Sequence, residues 1–254
     1  MLKRIIHINP QYLLLSDIIT RIVKYGVPSE ARIIYNGRRN KVYALDIDGH
    51  SLNIKAFRCP NIINAVAYTT IRQSKARRSF DNASQLIALG LDSPTPIAYG
   101  ECRRGRLLKQ SYYISQQITA DDMRDWEQKA DCEQLLRALA VQIVKLHQAG
   151  VWHKDFSPGN ILYTGNAVDG YHFSYIDLNR MSFGISDRKK LMSMFRSINL
   201  NRAETERLGR YYALASGQDV DVVVDQVRKA QDAYFATRRR KQRIKKILKL
   251  LKLR

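Results

Sequence analysis

The first half of the chain carries the residue pattern of β-strands. Three segments are rich in β-branched and aromatic residues, at positions 33–35, 41–47 and 51–57. The dipeptides Asn36-Gly37 and Asp48-Gly49 separate them, and both are of the kind that forms tight hairpin turns. The pattern predicts an antiparallel meander, followed later in the chain by a further strand at residues 111–118.

Helical spacing of apolar residues marks two longer segments. Residues 74–89 fit a helix that ends at Gly90, ahead of two prolines. A second helix is predicted after Asp131, which with Gln134 forms a start resembling a capping box, and it ends at Gly150. The apolar face of this second helix consists of Leu135, Leu136, Leu139, Ala140, Ile143 and Leu146.

The second half of the chain is otherwise mainly helical in pattern. A small hairpin is predicted from residues 160–163 and 172–176, turning around Gly165-Asn166, and helices resume from about residue 187. The expected fold class is therefore α+β, with an antiparallel-sheet N-lobe at residues 1–117 and a helical C-lobe at residues 118–237.

Composition sets further limits on the protein. Of 254 residues, 45% are hydrophobic and 26% are charged, which is typical of a globular chain and not of a disordered one. Cys59, Cys102 and Cys132 are scattered, so neither a disulfide framework nor a zinc site is expected, and a reducing compartment is favoured. Neither a signal peptide nor a transmembrane helix is predicted.

The net charge of +20 is concentrated at the C-terminus. Residues 238–254 contain ten Lys or Arg and no acid, and are expected to form a separate tail. Its apolar positions recur with helical spacing, which predicts a basic amphipathic helix on an anionic membrane surface. The residues expected to contact the membrane are Arg243, Lys245, Lys246, Ile247, Leu248 and Leu251. The alternative is a tail docked on the protein's own helices. Nucleic acid is not expected, because the tail lacks an aromatic residue beyond Phe235.

Candidate chemistry lies directly after the second helix, in the sequence His153-Lys154-Asp155-Phe156-Ser157-Pro158-Gly159-Asn160. With Asp177 further on, the residues suit phosphoryl transfer, which needs a positioned hydroxyl and metal ions that neutralise charge. Asp155 is predicted to orient the hydroxyl and accept its proton, and His153 to brace the loop. Asn160 and Asp177 offer the oxygen ligands that Mg²⁺ prefers. A capped turn without chemistry is the alternative, since these residue types also favour turns.

A lysine on the third strand of the meander completes the candidate site. Lys55 resembles the strand lysine that pairs with the α- and β-phosphates of ATP in kinases, although a strand lysine can also be a solvated charge. The turn at residues 35–40 lies where a phosphate-covering loop belongs, so Gly37 and Arg38 are candidate nucleotide contacts. This turn holds a single glycine and is a poor nucleotide motif on its own.

These motifs together resemble the lipopolysaccharide kinase family, whose members phosphorylate Kdo or heptose in the inner core on lipid A. The resemblance spans roughly residues 30–185, in order. It is carried by residues 35–40, 53–55, 74–80, 94–99, 111–115, 153–160 and 176–180. It implies a bilobal protein-kinase-like fold, ATP and Mg²⁺ as cofactors, and a lipid-linked sugar acceptor, most like that of a Kdo kinase. It also implies a peripheral place on the cytoplasmic face of the bacterial inner membrane.

The resemblance further implies where the adenine sits. In the kinase-like fold the strand at residues 111–118 leads into the hinge, so the backbone from Gln116 to Ile118 is the expected adenine contact. The glutamate that pairs with the strand lysine in protein kinases has no counterpart in the helix at 74–89, which leaves Asp81 and Asn82 as candidates.

Departures from protein kinases narrow the function. Asp177-Leu178-Asn179-Arg180 replaces Asp-Phe-Gly, no Ala-Pro-Glu follows, and Ser157 stands where protein kinases have a lysine. The missing peptide-docking segment favours a small-molecule kinase over a kinase that phosphorylates protein. An inactive binding module is the other alternative, and retention of Lys55, Asp155, Asn160 and Asp177 argues against it.

Overall fold

The computed structural model describes residues 2–37, 40–58, 73–105, 107–198 and 200–251; the side chains of residues 245, 246 and 248–251 are outside this description. The chain divides into two compact units. The first comprises Met1–Ala120 and Ser174–Arg180, and the second comprises Asp121–Phe173 and Met181–Arg254.

In the described part of the first unit, six antiparallel strands form one sheet in the order β1-β5-β6-β4-β3-β2. They are β1 (Leu2–Ile8), β2 (Arg32–Asn36), β3 (Asn40–Ile47), β4 (His50–Phe57), β5 (Pro96–Arg104) and β6 (Leu107–Gln116). The predicted meander is β2-β3-β4. Its second turn has Asp48 and Gly49 at φ 50° and 75°, as a tight hairpin turn requires.

The two faces of this sheet pack against different helices. Successive side chains on a strand point to opposite faces. Leu52, Ile54 and Ala56 of β4 therefore share the core that contains Ile19 and Ile22 of helix α1 (Ser16–Tyr25). A second cluster packs helix α2 (Lys75–Ala88) against the opposite face and consists of Phe57, Ala76, Phe80 and Tyr99. Lys55 lies on the α2 face because it alternates with Ile54 and Ala56.

Helix α1 approaches the sheet closely at one point. A Cβ atom placed on Gly100 of β5 would lie 2.2 Å from Cγ2 of Val23, which is itself 2% exposed. Glycine at this position therefore permits the contact between helix and strand.

The second unit is built mainly from helices. They are α3 (Cys132–Gln148), α4 (Arg188–Met192), α5 (Arg202–Ser216) and α6 (Val220–Leu251). Helix α3 packs on α5, and α5 packs on α6, through fully buried residues such as Leu139, Leu208 and Val227. Three-residue and longer 3-10 helices lie at Pro10–Leu15, Met123–Gln128, Pro158–Asn160, Leu178–Arg180 and Phe195–Ser197.

The remaining strands are short. They are β7 (Asp121–Asp122), β8 (Trp152–His153), β9 (Ile161–Asn166), β10 (Gly170–Tyr175) and β11 (Met181–Ser182). The first, third and fourth of these form a three-stranded sheet, and β8 pairs with β11.

Several boundaries differ from the sequence-based expectation. The strand expected at 111–118 runs from Leu107 to Gln116. The hairpin turns after Asn166, because the Asn166 side chain accepts hydrogen bonds from the N–H groups of Val168 and Asp169. Asp131 precedes α3 but makes no side-chain capping bond there, since its Oδ2 accepts from Ala167 N–H and the Tyr171 hydroxyl.

The basic segment from residue 238 onward, expected as a separate tail, continues a helix that begins earlier in the chain. Helix α6 begins at Val220 and passes through position 238 without a break. Among the described residues, no helix is long and apolar enough to cross a bilayer. Cys102 and Cys132 are free thiols, and Cys59 lies outside the described residues.

Candidate active site

Lys55 and Asp177 form an ion pair within the first unit. The Nζ atom of Lys55 lies 2.6 Å from Oδ1 of Asp177, with side chains 16% and 30% exposed. The same Oδ1 accepts a hydrogen bond of 2.7 Å from Nδ2 of Asn179. Asp177 has φ 58°, a left-handed conformation that costs energy for a residue other than glycine. Such strain at a charged residue after a strand is typical of functional sites.

The two helix residues considered as partners of Lys55 are engaged elsewhere. Asp81 forms an ion pair with Arg77, four residues earlier on α2, with Nε and Oδ2 3.4 Å apart. Asn82 donates from Nδ2 to the backbone oxygen of Leu178 at 2.6 Å. This bond connects α2 to Leu178, the residue that follows Asp177. Asn82 therefore helps to position Asp177, and the bond does not involve Lys55.

The loop from His153 to Asn160 lies in the second unit and is held by hydrogen bonds to its backbone. The N–H of Asp155 donates to Nδ1 of His153 at 3.1 Å, and His153 is 1% exposed. The backbone oxygen of Asp155 accepts from Nδ2 of Asn160 at 2.9 Å and from Ser157 N–H at 2.8 Å. In the described part of the chain, no hydrogen bond or ion pair reaches the exposed carboxylate of Asp155.

Two further contacts hold this loop in place. Phe156 is fully buried and anchors the loop in the core of the second unit. The guanidinium of Arg124 lies over Gly159, where an added Cβ would meet Nη2 at 2.4 Å, and Arg124 pairs with Asp122 at 3.0 Å. Glycine at this position therefore lets an arginine lie directly on the loop.

Asp155 and Asn160 line a cleft of ≈ 1140 Å³ in the second unit. Its walls come from the loop between His153 and Asn160, the 3-10 helix Met123–Gln128, residues around Ile198, the start of α5 and the middle of α6. The charged side chains that line it are Arg124, Glu127, Lys154, Asp155, Arg196, Glu204, Arg238 and Lys241. A cleft of this size can hold a sugar together with part of a larger molecule.

Carboxylate and amide oxygens fit Mg²⁺ by their chemistry. Because the Asn160 nitrogen donates to the Asp155 backbone, its amide oxygen is directed away from that carbonyl. Asp177 supplies a carboxylate in the first unit, and Asn160 lies in the second.

The predicted adenine segment has most of its backbone groups engaged. The N–H groups of Gln116 and Gln117 donate to Thr95 O at 2.9 Å and to Ser51 O at 2.8 Å. Asn53 and Gln117 pair through their side chains, and Gln117 Nε2 donates to Ile118 O. Among the described residues, no hydrogen bond involves the N–H of Ile118, while the Gln116 side chain is exposed.

Other predicted contacts fall in the turn and the tail. Gly37 donates its N–H to Asn40 O at 3.1 Å, and Arg38 lies outside the described residues. In the tail, Arg243 is exposed and Ile247 is 55% exposed. The side chains of Lys245, Lys246, Leu248 and Leu251 lie outside the described residues.

Sequence reasoning missed several residues that the structure places at these positions. Asn179 donates to the candidate residue Asp177, and the Gln117 side chain donates to the backbone oxygen of Ile118; their spacing in the chain gives no sign of these contacts. The charge pattern places Arg238 and Lys241 in the basic tail, yet they line the same cleft as Asp155. Only the tertiary fold brings these distant segments together.

Comparison with known proteins identifies the family. The model of the lipopolysaccharide kinase (Kdo/WaaP) family matches residues 36–212, more than half of the chain. The chain belongs to the lipopolysaccharide kinase family. This confirms the resemblance drawn from the motifs, and membership makes the protein a kinase by class.

One solved structure shows the same fold. The structure of WaaP in complex with acyl carrier protein is 17% identical, with a TM-score of 0.60, covering 91% of this chain and 99% of that one. The predicted α+β protein-kinase-like fold is thereby confirmed. The Rio2 kinase–ADP/Mg²⁺–phosphoaspartate complex from Chaetomium thermophilum is 17% identical, with a TM-score of 0.47, covering 88% of this chain and 75% of that one. No curated protein matches the chain.

Proposed function

We propose that this lipopolysaccharide kinase transfers the γ-phosphoryl group of ATP to a Kdo hydroxyl of the inner core on lipid A. The observation that carries the proposal is the position of Asp155. Its backbone is held by His153 and Asn160, while its carboxylate lines the ≈ 1140 Å³ cleft. A rigid loop that presents a carboxylate in a cleft is the arrangement needed to position an acceptor hydroxyl.

The proposed step uses Asp155 as base. The acceptor oxygen attacks the γ-phosphorus, the bond from that phosphorus to the ADP oxygen breaks, and the hydroxyl proton passes to the Asp155 carboxylate. His153 supports this step by accepting a hydrogen bond from the Asp155 N–H, which orients the loop. General-base or orienting groups typically contribute ~10²–10⁴-fold to the rate.

The nucleotide is assigned to the first unit. Lys55, positioned by Asp177, binds the α- and β-phosphates, and Gly37 and Arg38 belong to the turn that covers them. Asn160 and Asp177 are the proposed ligands of Mg²⁺, which would neutralise charge on the phosphates. Because the N–H groups of Gln116 and Gln117 already donate to protein carbonyls, we expect the N–H of Ile118 to donate the hydrogen bond to adenine. An adenine ring needs such a backbone donor at its edge.

The finer choice of acceptor rests on the resemblance to Kdo kinases, and heptose is the alternative. A lipid-linked acceptor also gives a role to the basic end of α6. We propose that residues from Arg243 onward contact the anionic cytoplasmic face of the bacterial inner membrane. The half-exposed Ile244 and Ile247 support this role, because they leave apolar surface uncovered.

The test is transfer of labelled phosphate from Mg-ATP to a panel of acceptors in detergent. Kdo-lipid A, a heptosylated core and a generic protein are compared under the same conditions. Label is expected on Kdo-lipid A, while the Asp177→Asn variant, which retains side-chain size, controls for contaminating kinases. If only the heptosylated core became labelled, heptose and not Kdo would be the acceptor. Label on protein alone would refute the proposed function.

A further inference from the structure

One face of helix α6 forms a wall of the cleft that contains Asp155. The cleft-lining residues of this helix recur at helical spacing, at Tyr234, Thr237, Arg238, Lys241 and Gln242. The preceding part of the helix is fixed to the second unit through Val223 and Val227, which are fully buried. A long helix anchored at one end thus carries its basic segment to the loop between His153 and Asn160.

Most of the cations that line this cleft form no ion pair with another described residue. In the described part of the chain, Lys154, Arg196, Arg238 and Lys241 have no ion pair, although all four line the cleft. By contrast, Arg124 is paired with Asp122.

The acidic residues of the wall are engaged with each other and with a helix cap. Glu204 accepts from Asn201 N–H at 2.8 Å in the capping box of α5. The nearby Glu204 carboxyl, which hydrogen bonds to Glu127, raises the pKa of Glu127. The unpaired positive charge is therefore directed at whatever occupies the cleft.

We propose that Arg196, Arg238 and Lys241 form an anion-binding subsite that holds the acceptor while Asp155 faces its hydroxyl. This inference rests on the proposed function and deepens it. The ligand group is a carboxylate or a phosphate, which arginine binds well through its planar fork. A Kdo-lipid A acceptor carries both, as the sugar carboxylate and the lipid A phosphates.

The same helix can meet a lipid surface on another side. At 100° per residue, Ile247 lies about 150° from the mean direction of Tyr234, Arg238 and Lys241, whereas Ile244, seven residues after the cleft-lining Thr237, lies beside the cleft-lining face. Both isoleucines are about half exposed. The apolar surface at Ile247 and the cleft therefore lie on different sides of the helix, so the subsite can be tested apart from membrane binding.

The experiment measures binding of Kdo-lipid A in nonionic detergent micelles, without ATP, by calorimetric titration. The variants are Arg196→Gln, Arg238→Gln and Lys241→Gln. Arg239→Gln is the matched control, because it removes the same charge from the same helix at a residue that does not line the cleft. Loss of one charge-assisted hydrogen bond predicts about 10- to 100-fold weaker binding for the cleft variants, and less than about 3-fold for the control.

The two anion sources are separated by the ligand. Kdo-lipid A without phosphates, and Kdo-lipid A with its carboxylate converted to an amide, are titrated against the wild-type protein. If removing a group from the ligand weakens binding to the wild-type protein, and Arg238→Gln then causes no further loss, that group is the one bound by the subsite. Equal weakening by Arg238→Gln and Arg239→Gln, or no weakening by any cleft variant, would overturn the subsite. Wild-type transfer to Kdo-lipid A in the acceptor panel would still support the proposed function in that case.

Discussion

Asp177 combines a strained backbone with an oxygen that accepts two hydrogen bonds. Its Oδ1 accepts hydrogen bonds from Lys55 Nζ and from Asn179 Nδ2. The left-handed φ of 58° occurs just after strand β10 ends, and it sets the direction of the carboxylate. In protein kinases the third residue of this motif is glycine. Here Asn179 takes that position and positions the aspartate, which gives a physical reason for the departure from Asp-Phe-Gly.

The sequence could predict residue types at the site but not their partners. Lys55 and Asp177 stand out by motif alone, yet their ion pair joins segments more than a hundred residues apart. Asp81 is the only acid of helix α2, and it forms an ion pair with Arg77. The direction of a side chain on a helix depends on how the helix packs, and a single sequence does not reveal that.

A buried histidine away from the site predicts how stability depends on pH. His147 is 8% exposed, and its Nδ1 lies 3.0 Å from the Tyr212 hydroxyl. Burial, and then the charge of Arg188, lower the pKa of His147 to about 4. Below pH ~6.5 the unfolded chain takes up a proton that the folded protein does not. Stability should therefore fall between pH 6.5 and 4, by about 3 kcal/mol from this group.

The measurement is urea unfolding of wild-type and His147→Gln protein from pH 7 to pH 4. The variant should lose less stability over this range than the wild type. His172→Gln is the control, because His172 is exposed. An unchanged difference in stability between wild type and His147→Gln at every pH would contradict the prediction.

At the scale of elements, regular patterns were easier to predict than local caps. The meander and helices α2 and α3 follow from period-two and helical spacing, which belong to the sequence itself. Asp131 was expected to cap α3, but it instead holds the β9–β10 turn through Ala167 and Tyr171. An Asp side chain can serve either purpose, and the tertiary contact with the hairpin decides between them.

The N-terminal strand and helix were not predicted, although their signals exist. Ile19, Ile22 and Val23 recur at helical spacing on α1 and are buried. Strand β1 is harder to recognise because Lys3 and Arg4 interrupt its apolar residues, and it depends on pairing with β5.

The packing of α1 on the sheet gives a second prediction. Gly100→Ala should lower the free energy of unfolding by about 1–3 kcal/mol, because the new Cβ would lie 2.2 Å from Val23. The matched test is the double variant Val23→Ala with Gly100→Ala, in which the smaller side chain accepts the new methyl group. In a double-mutant cycle the two changes should therefore cost less together than the sum of each alone. Additive effects would show that this contact does not constrain the sheet.

At the scale of the whole molecule, the fold class follows from the sequence because strand-rich and helix-rich halves differ in pattern. The assignment of residues 174–180 does not follow from it. In the chain these residues come between the two segments that form the helical unit, yet they belong with the sheet. Contacts such as Asn82 with Leu178 and Lys55 with Asp177 create that assignment, and both are long-range.

The structure also determines where the C-terminal helix can be cut. Removing residues 243–254 leaves Arg238 and Lys241 in the cleft and deletes six cations. Binding to anionic vesicles should fall and lose much of its salt dependence, while turnover of a detergent-solubilised acceptor should stay within a few-fold. Cosedimentation with anionic and neutral vesicles at low and high salt measures the first. Unchanged binding to anionic vesicles would mean that other surfaces meet the membrane.

The most direct test of the account is single-turnover phosphoryl transfer to Kdo-lipid A by wild-type and Asp155→Asn protein. The substitution retains side-chain size and removes the carboxylate that lines the cleft, so the variant should fold and bind Mg-ATP as the wild type does. The account predicts transfer by the wild type and a rate about 10²–10⁴-fold lower for the variant. Transfer by Asp155→Asn within a few-fold of the wild-type rate would contradict it.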